Sequence, residues 1–167
     1  MRYDVSMDTP WLTSEERDTW VRLLAVVELL PGALDTQLRR DADLTHFDYF
    51  VLAMLSEAAE RTLRMTELAR TTNATLPRLS HVVRRLEERG LVERFPCPDD
   101  RRAVNARLTG PGWDAVVAAA PRHVQHVRSV VFDALSGAQV AELGRIADAL
   151  LGRLDPDGRM TGLYGRS

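Results

Sequence analysis

The stretch TLPRLSHVVRRLEERGLVERFPCPDDRRAVNARLT, residues 75–109, decides how this chain folds. In its first half, apolar residues recur at the three- and four-residue spacing of one helix face: Leu79, Val83 and Leu86, with Leu76 and Val82 beside them. Thr75 is a favoured N-cap residue, and Gly90 is a favoured C-terminal stop. The pattern predicts a helix over residues 75–89 with one buried face.

The second half of the stretch predicts a β-hairpin, because two β-like runs, 91–96 and 103–108, flank a polar turn. The turn carries two acidic residues and then two basic ones: Asp99, Asp100, Arg101 and Arg102. One interpretation is a hairpin tip that is merely solvated. The other is a wing beside a DNA-binding helix, with arginines that enter a narrow minor groove and aspartates that orient the tip.

A short predicted helix, residues 66–72, precedes the helix of residues 75–89, and the tight turn between them is typical of a helix-turn-helix. The face of the second helix opposite its apolar side is polar and basic. A recognition helix needs this division, because one face packs on the core while the other offers donors to the major groove. A solvated surface helix is the alternative.

The predicted DNA-binding surface combines this helix with the hairpin turn. Arg78 in the first helical turn is suited to guanine, whereas Thr75 and Ser80 are suited to phosphate. The full set is Thr75, Pro77, Arg78, Ser80, His81, Arg84, Arg85, Arg101 and Arg102.

Charge is distributed unevenly along the chain. The net charge of −2 by itself argues against a nucleic-acid partner. Residues 61–107, however, hold eleven arginines against six acidic residues, and the rest of the chain is acidic. The basic footprint is therefore confined to one module, as expected for a DNA-binding domain.

Composition indicates an ordinary globular protein. The 167 residues are enough for one domain with a real core, and 45% of them are hydrophobic. We expect a cytoplasmic protein without membrane contact, because neither a membrane-length apolar run nor a signal-type N-terminus occurs. The single cysteine, Cys97, excludes an intramolecular disulfide and a multi-cysteine metal site.

The predicted fold is mainly α with a small β-wing, in the order α-α-β-α-α-β-β-α-α. Residues 63–109, LRMTELARTTNATLPRLSHVVRRLEERGLVERFPCPDDRRAVNARLT, resemble the DNA-binding core of the MarR family of bacterial transcriptional regulators. RLSHVVRRLEERGLV is similar to the family's recognition helix and first wing strand, and DDRRAVNARLT is similar to its wing motif. Pro77 departs from the family pattern, since many members carry Ser or another hydrogen-bonding residue there.

The resemblance extends over about residues 12–154 and implies an obligate homodimer. Residues 12–44 and 109–154 would form dimerisation helices, 45–108 the winged helix-turn-helix domain, and 155–167 a C-terminal tail. Two winged helices related by a two-fold axis would bind a pseudo-palindromic site on double-stranded DNA. The resemblance therefore implies a sequence-specific regulator, in most members a ligand-responsive repressor.

Family members commonly sense ligands in a crevice between the dimerisation helices and the DNA-binding lobe. Five aromatic or imidazole side chains are candidates for its lining: Trp20, His46, Tyr49, Phe50 and Trp113. Such a lining would favour a small aromatic or lipophilic anion as effector. Packing in the core is the alternative for each of them.

Other reactive residues give no comparable pattern. His123 and His126 have a spacing that can hold a metal, but no further ligand accompanies them, so we expect neither metal nor cofactor. Cys97, between two prolines, is expected to pack in the turn rather than to sense oxidants. No catalytic constellation is present, so the chain is not expected to be an enzyme. A winged-helix protein-interaction module is the alternative to a DNA-binding regulator.

Overall fold

The computed structural model describes residues 10–98 and 100–160, apart from the side chain of Arg101. Six α-helices occur in this part of the chain: α1 (Ser14–Ala42), α2 (His46–Glu57), α3 (Met65–Thr71), α4 (Leu76–Glu88), α5 (Gly110–Val130) and α6 (Gly137–Leu154). The strands are β1 (Thr62–Arg64), β2 (Val92–Cys97) and β3 (Asp100–Leu108), and short 3₁₀ turns lie at Ala59–Arg61 and Phe132–Ala134. This order confirms the predicted mainly helical fold with a small wing.

The sheet is antiparallel, with β3 between β1 and β2. Leu63 pairs with Ala106, and Glu93 pairs with Arg107. The register of the hairpin shifts between Pro96 and Cys97, and a bulge of this kind twists a hairpin near its tip. The hairpin of β2 and β3 is the predicted wing.

The core lies where α2, α3 and α4 pack on this sheet, and α5 packs against α2. From α4 it receives Leu79, Val82, Val83 and Leu86. Leu76, predicted beside this apolar face, is instead 43% exposed, because it lies in the first turn of α4, beyond the edge of the core. The buried face fixes α4 to the domain and leaves its opposite face in solvent.

The chain divides into two compact units, the first ending at Ala33 and the second beginning at Leu34. In the first, α1 begins with a capping box, in which Thr13 N donates to Glu16 Oε2 at 2.7 Å and Glu16 N donates to Thr13 Oγ1 at 3.2 Å. Large apolar side chains on this part of α1 are exposed: Trp20, Val21, Leu23, Leu24, Val26, Val27 and Leu29.

In the second unit, α6 contains no buried residue, and Leu143, Ile146 and Leu150 on it are between 42% and 48% exposed. Over residues 10–98 and 100–160, no helix combines the length and the apolar character needed to cross a bilayer.

The first turn of α5 packs closely against the turn between α4 and β2. Thr109 caps the helix, since its hydroxyl accepts the N–H of Gly112 at 3.1 Å and donates to Gly90 O at 2.7 Å. A Cβ on Gly112 would lie 2.0 Å from Leu91 O, a distance that no side chain tolerates. Glycine is therefore required at this contact.

We predict that Gly112→Ala lowers the free energy of unfolding by about 1–3 kcal/mol, because the backbone must move to accept the methyl group. Gly110→Ala is the matched control, since a Cβ there has no neighbour within 4 Å. Urea denaturation of both variants at one protein concentration measures the difference. Equal stabilities would contradict the close packing at Gly112.

Candidate nucleic-acid interface

The α3–turn–α4 unit positions the candidate interface. Asn73 adopts a left-handed conformation with a φ of 48°, and Ala74 N donates to Ala69 O at 2.9 Å, so the chain reverses sharply between the helices. Thr75 caps α4 as predicted, its hydroxyl accepting the N–H of Arg78 at 3.4 Å. The first turn of α4 is exposed as a result.

The solvent face of α4 holds most of the predicted recognition residues. Pro77, Arg78, His81 and Arg84 are exposed, and Ser80 is half-buried. Arg84 approaches His81, with 3.2 Å between Nη2 and Nδ1. All of these except Arg78 line one shallow depression that is bordered by Arg94 of β2: Pro77, Ser80, His81 and Arg84. The fold therefore gathers predicted side chains into one polar, basic surface.

Arg78 lies over an aromatic ring. Its guanidinium carbon is 4.4 Å from the centroid of Phe47, which extends from α2 and packs against the core. A cation at this distance from a ring face is held by the ring quadrupole. Phe47 thus restricts where the Arg78 side chain can go, a role that no local sequence signal indicated.

Arg85 has a partner inside the domain. Its Nη2 donates to Asp48 Oδ1, and the Asp48 side chain is only 2% exposed. The other oxygen of Asp48 accepts the N–H of Thr45 at 2.9 Å in a capping box that starts α2. One turn further along α4, Arg89 donates to Asp43 O at 2.9 Å. These bonds attach α4 to the α1–α2 corner, and a DNA contact by Arg85 stays a prediction.

The wing lies beside α4. At its tip, Asp100 Oδ1 accepts the backbone N–H of Arg102 at 3.0 Å, so this aspartate shapes the turn. Arg102 is exposed and lines, together with Ser80 and Leu76, a cleft of about 200 Å³ between the wing and the helices. Asp99 and the side chain of Arg101 lie outside the described residues.

A second arginine, Arg94, joins the wing to α4. Its Nε and Nη2 donate to Glu87 Oε2 at 2.9 and 2.6 Å, and its backbone N–H donates to Oε1 at 3.0 Å. These bonds lower the pKa of Glu87 below its usual value, since they stabilise the charged carboxylate. Sequence reasoning did not single out Arg94, because its partner lies in a different element.

The predicted effector residues lie in different surroundings. The rings of His46 and Phe50 are stacked with centroids 6.5 Å apart, and Tyr49 contacts His123 with centroids 4.6 Å apart. The guanidinium carbon of Arg61 lies 4.0 Å from the ring centroid of Trp113. Trp20, in the first unit, is 52% exposed. A common site for these five side chains stays a prediction.

His46, His123 and His126 form a group at the packing of α2 against α5. Burial lowers the pKa of His46, although the charge of Asp35 opposes this. Burial also lowers the pKa of His123, as do the charges of His46 and His126. His123 Nδ1 lies 3.1 Å from Gln37 Oε1, whereas His46 Nδ1 and His126 Nε2 are buried without a hydrogen-bond partner.

Within the described part of the chain, no three histidine, cysteine or acidic side chains are close enough together to hold a metal ion. Cys97 is buried at the base of the wing tip, and its sulfur accepts from Arg64 Nη2 at 3.6 Å.

Comparison with known proteins agrees with this architecture. The MarR family matches residues 44–104, which include α2, the helix-turn-helix and most of the wing. Sco3205 of Streptomyces coelicolor, a MarR family transcriptional regulator solved in complex with DNA, is 42% identical, with a TM-score of 0.85. That similarity covers 90% of this chain and 94% of Sco3205. This chain belongs to the MarR family of transcriptional regulators, which are not enzymes.

Two further relatives are informative. YdcH of Bacillus subtilis (strain 168), an uncharacterised HTH-type transcriptional regulator, is 36% identical over 81 residues, which are 47% of this chain and 55% of YdcH. The chain thus spans about half the length of this curated relative. CouR from Rhodococcus jostii RHA1, solved with p-coumaroyl-CoA bound, is 26% identical with a TM-score of 0.72, over 87% of this chain and 97% of CouR.

We predict that Arg85→Ala lowers the free energy of unfolding by about 1–3 kcal/mol, because it leaves the buried Asp48 carboxylate without its cation. The arginine is 42% exposed, so solvent screening keeps the loss below that of a fully buried pair. Arg84→Ala, one position away on the solvent face, should change stability by less than about 0.5 kcal/mol. Urea denaturation compares the two, and equal losses would contradict an anchoring role for Arg85.

We predict that stability falls as the pH decreases from about 6.5, the ordinary histidine value, towards the lowered native pKa values of His46 and His123. The unfolded chain takes up protons in this window that the native state does not, so the free energy of unfolding decreases as the histidines of the unfolded chain become protonated. His46→Gln together with His123→Gln should flatten the pH dependence between pH 7 and 5. An unchanged slope in urea denaturation would contradict this assignment.

Proposed function

We propose that this protein is a cytoplasmic, sequence-specific DNA-binding regulator that binds a pseudo-palindromic operator as a homodimer and represses transcription until an effector binds. The observation that carries the proposal is the continuous basic surface of α4 and the wing. Its cations, unlike Arg85 and Arg94, are not bonded to a carboxylate among the described residues: Arg78, Arg84 and Arg102. Double-stranded DNA presents the complementary charge.

In this proposal each side chain has a distinct task. Arg78, steadied by Phe47, binds a guanine edge, and His81 and Arg84 lie further along the groove. Thr75, Pro77 and Ser80 meet the phosphates that border it. Arg102 and Arg101 enter the minor groove, and Asp99 and Asp100 shape the tip. Arg85, half-exposed despite its bond to Asp48, completes the set.

The exposed apolar side chains support a homodimer. They lie on the first part of α1 and along α6. Exposed apolar surface is unfavourable in water unless a partner covers it. In the proposed dimer, residues 12–44 and 109–154 bury these side chains against a second copy, residues 45–108 bind DNA, and 155–167 form the tail. The two-fold axis then sets the spacing of the half-sites.

The proposed effector is a small aromatic or lipophilic anion. CouR, with the same fold, binds p-coumaroyl-CoA, an anion with an aromatic group. In this chain the aromatic and imidazole side chains proposed to bind the effector are those of His46, Tyr49, Phe50, Trp113 and Trp20. Effector binding there would alter the separation of the two recognition helices.

The alternative function is a winged-helix module that binds another protein. A protein partner of this basic surface would be acidic, so net charge alone does not separate the two. Binding to DNA releases condensed counterions, and the logarithm of its affinity falls linearly with the logarithm of salt concentration. A steep linear dependence, together with discrimination among duplex sequences, distinguishes the DNA-binding function.

We predict that the purified protein selects a pseudo-palindrome from a random duplex library and that Arg78→Ala weakens binding to it by about 1–3 kcal/mol. The variant should also lose its preference for guanine at one position in each half-site, because the bidentate contact to that base is removed. Arg78→Lys is the matched control, because it keeps the charge without the planar fork. Fluorescence anisotropy at several salt concentrations measures the affinities of the two variants and of the wild-type protein.

If wild-type protein shows no salt-dependent binding to any duplex while remaining folded, the DNA-binding proposal is wrong. If wild-type protein binds and Arg78→Ala retains full affinity and discrimination, only the assignment of Arg78 fails.

A further inference from the structure

The chain after α6 folds back into an ordered turn. The Asp155 side chain is largely buried and accepts the backbone N–H of Met160 at 2.9 Å and Nε of Arg159 at 3.0 Å. The backbone carbonyl of Asp155 also accepts the N–H of Gly158 at 2.9 Å. Arg159 is therefore held in place by a folded segment, although it follows the last helix.

This turn brings Arg159 to the helix-turn-helix. Arg159 lines a cavity of about 310 Å³ together with side chains of α3 and of the turn that leads into α4. Its polar lining, besides Arg159, comes from Thr66, Arg70, Asn73 and Thr75. Arg70 is exposed and has no acidic partner among the residues that the structure describes. Two guanidiniums from distant parts of the sequence thus face one cavity.

The chemistry of this cavity is suited to a phosphate. Guanidinium groups bind phosphate through several donors at once, and hydroxyl and amide groups add further hydrogen bonds. The bond to Asp155 engages Nε of Arg159, and neither of its terminal nitrogens has a bond among the described contacts. Thr75 is also the N-cap of α4, a helix of 13 residues. The partial positive charge of the N-terminus of α4 therefore adds to the attraction of the cavity for an anion.

We propose that this cavity binds a backbone phosphate of the operator, so that the C-terminal turn supplies a DNA contact through Arg159. The inference rests on the DNA-binding function proposed above. The cavity adjoins the first turn of α4, which in that proposal enters the major groove, and the phosphates that border the groove lie there. Arg159 and Arg70 would strengthen binding without reading sequence, because phosphates carry the same chemistry at every base pair.

The experiment measures affinity of the full-length protein for its selected operator and for an unrelated duplex of equal length, by anisotropy over a range of salt concentrations. Arg159→Ala and Arg70→Ala should each weaken binding to both duplexes by a similar factor. Each should also reduce the slope of log affinity against log salt by about two, because the proposed dimer carries the cavity twice and each lost phosphate contact lowers the slope by about one. Arg159→Lys should restore most of the slope.

Arg153→Ala is the matched control, since Arg153 is exposed in the last turn of α6 and does not line the cavity. Circular dichroism melts show whether each variant keeps its fold. If wild-type protein binds DNA and Arg159→Ala matches Arg153→Ala in affinity and salt slope, the phosphate site is refuted while the DNA-binding function stands. If wild-type protein binds no duplex, both proposals are overturned.

Discussion

The buried carboxylate of Asp48 joins the helix that supports the interface to the helix that forms it. One oxygen closes the capping box at the start of α2, and the other accepts from Arg85 of α4. A charge buried to this extent is stable only when its hydrogen-bonding capacity is used, and here two elements depend on it together. Arg89 and Arg94 add bonds from the end of α4 to Asp43 and from β2 to Glu87.

Two groups of arginines can be distinguished in the basic module. Arg85, Arg89 and Arg94 are bonded to carboxylates in other segments of the domain, and Arg107 is bonded to Glu93 across the hairpin. Arg78, Arg84 and Arg102, which have no carboxylate partner among the described residues, are side chains that the proposed function assigns to DNA. Arg85 belongs to both groups in this proposal, because it is bonded to Asp48 and still 42% exposed.

Local patterns were enough to predict much of this arrangement. The predicted cap at Thr75 joins groups three residues apart, so the sequence shows both partners at once. The caps at Thr13, Thr45 and Ser136 have the same spacing. The buried face of α4 follows from helical periodicity, and only Leu76 differs, because periodicity does not show where the core ends. The candidate surface follows in the same way, as the opposite face of a helix whose buried side is known.

What the sequence by itself determined is therefore the set of elements, their order, the winged helix-turn-helix and the face of α4 that meets solvent. The tertiary structure alone decided which partner each arginine meets. Asp48, the partner of Arg85, is 37 positions away in the sequence, and Phe47 lies on a different helix from Arg78. Arg159 follows α6 and yet lines the same cavity as Arg70. Hydrogen-bonding patterns within a helix repeat with its period and can be read along the chain. Contacts between elements depend on packing angles and distances, which only the folded core sets.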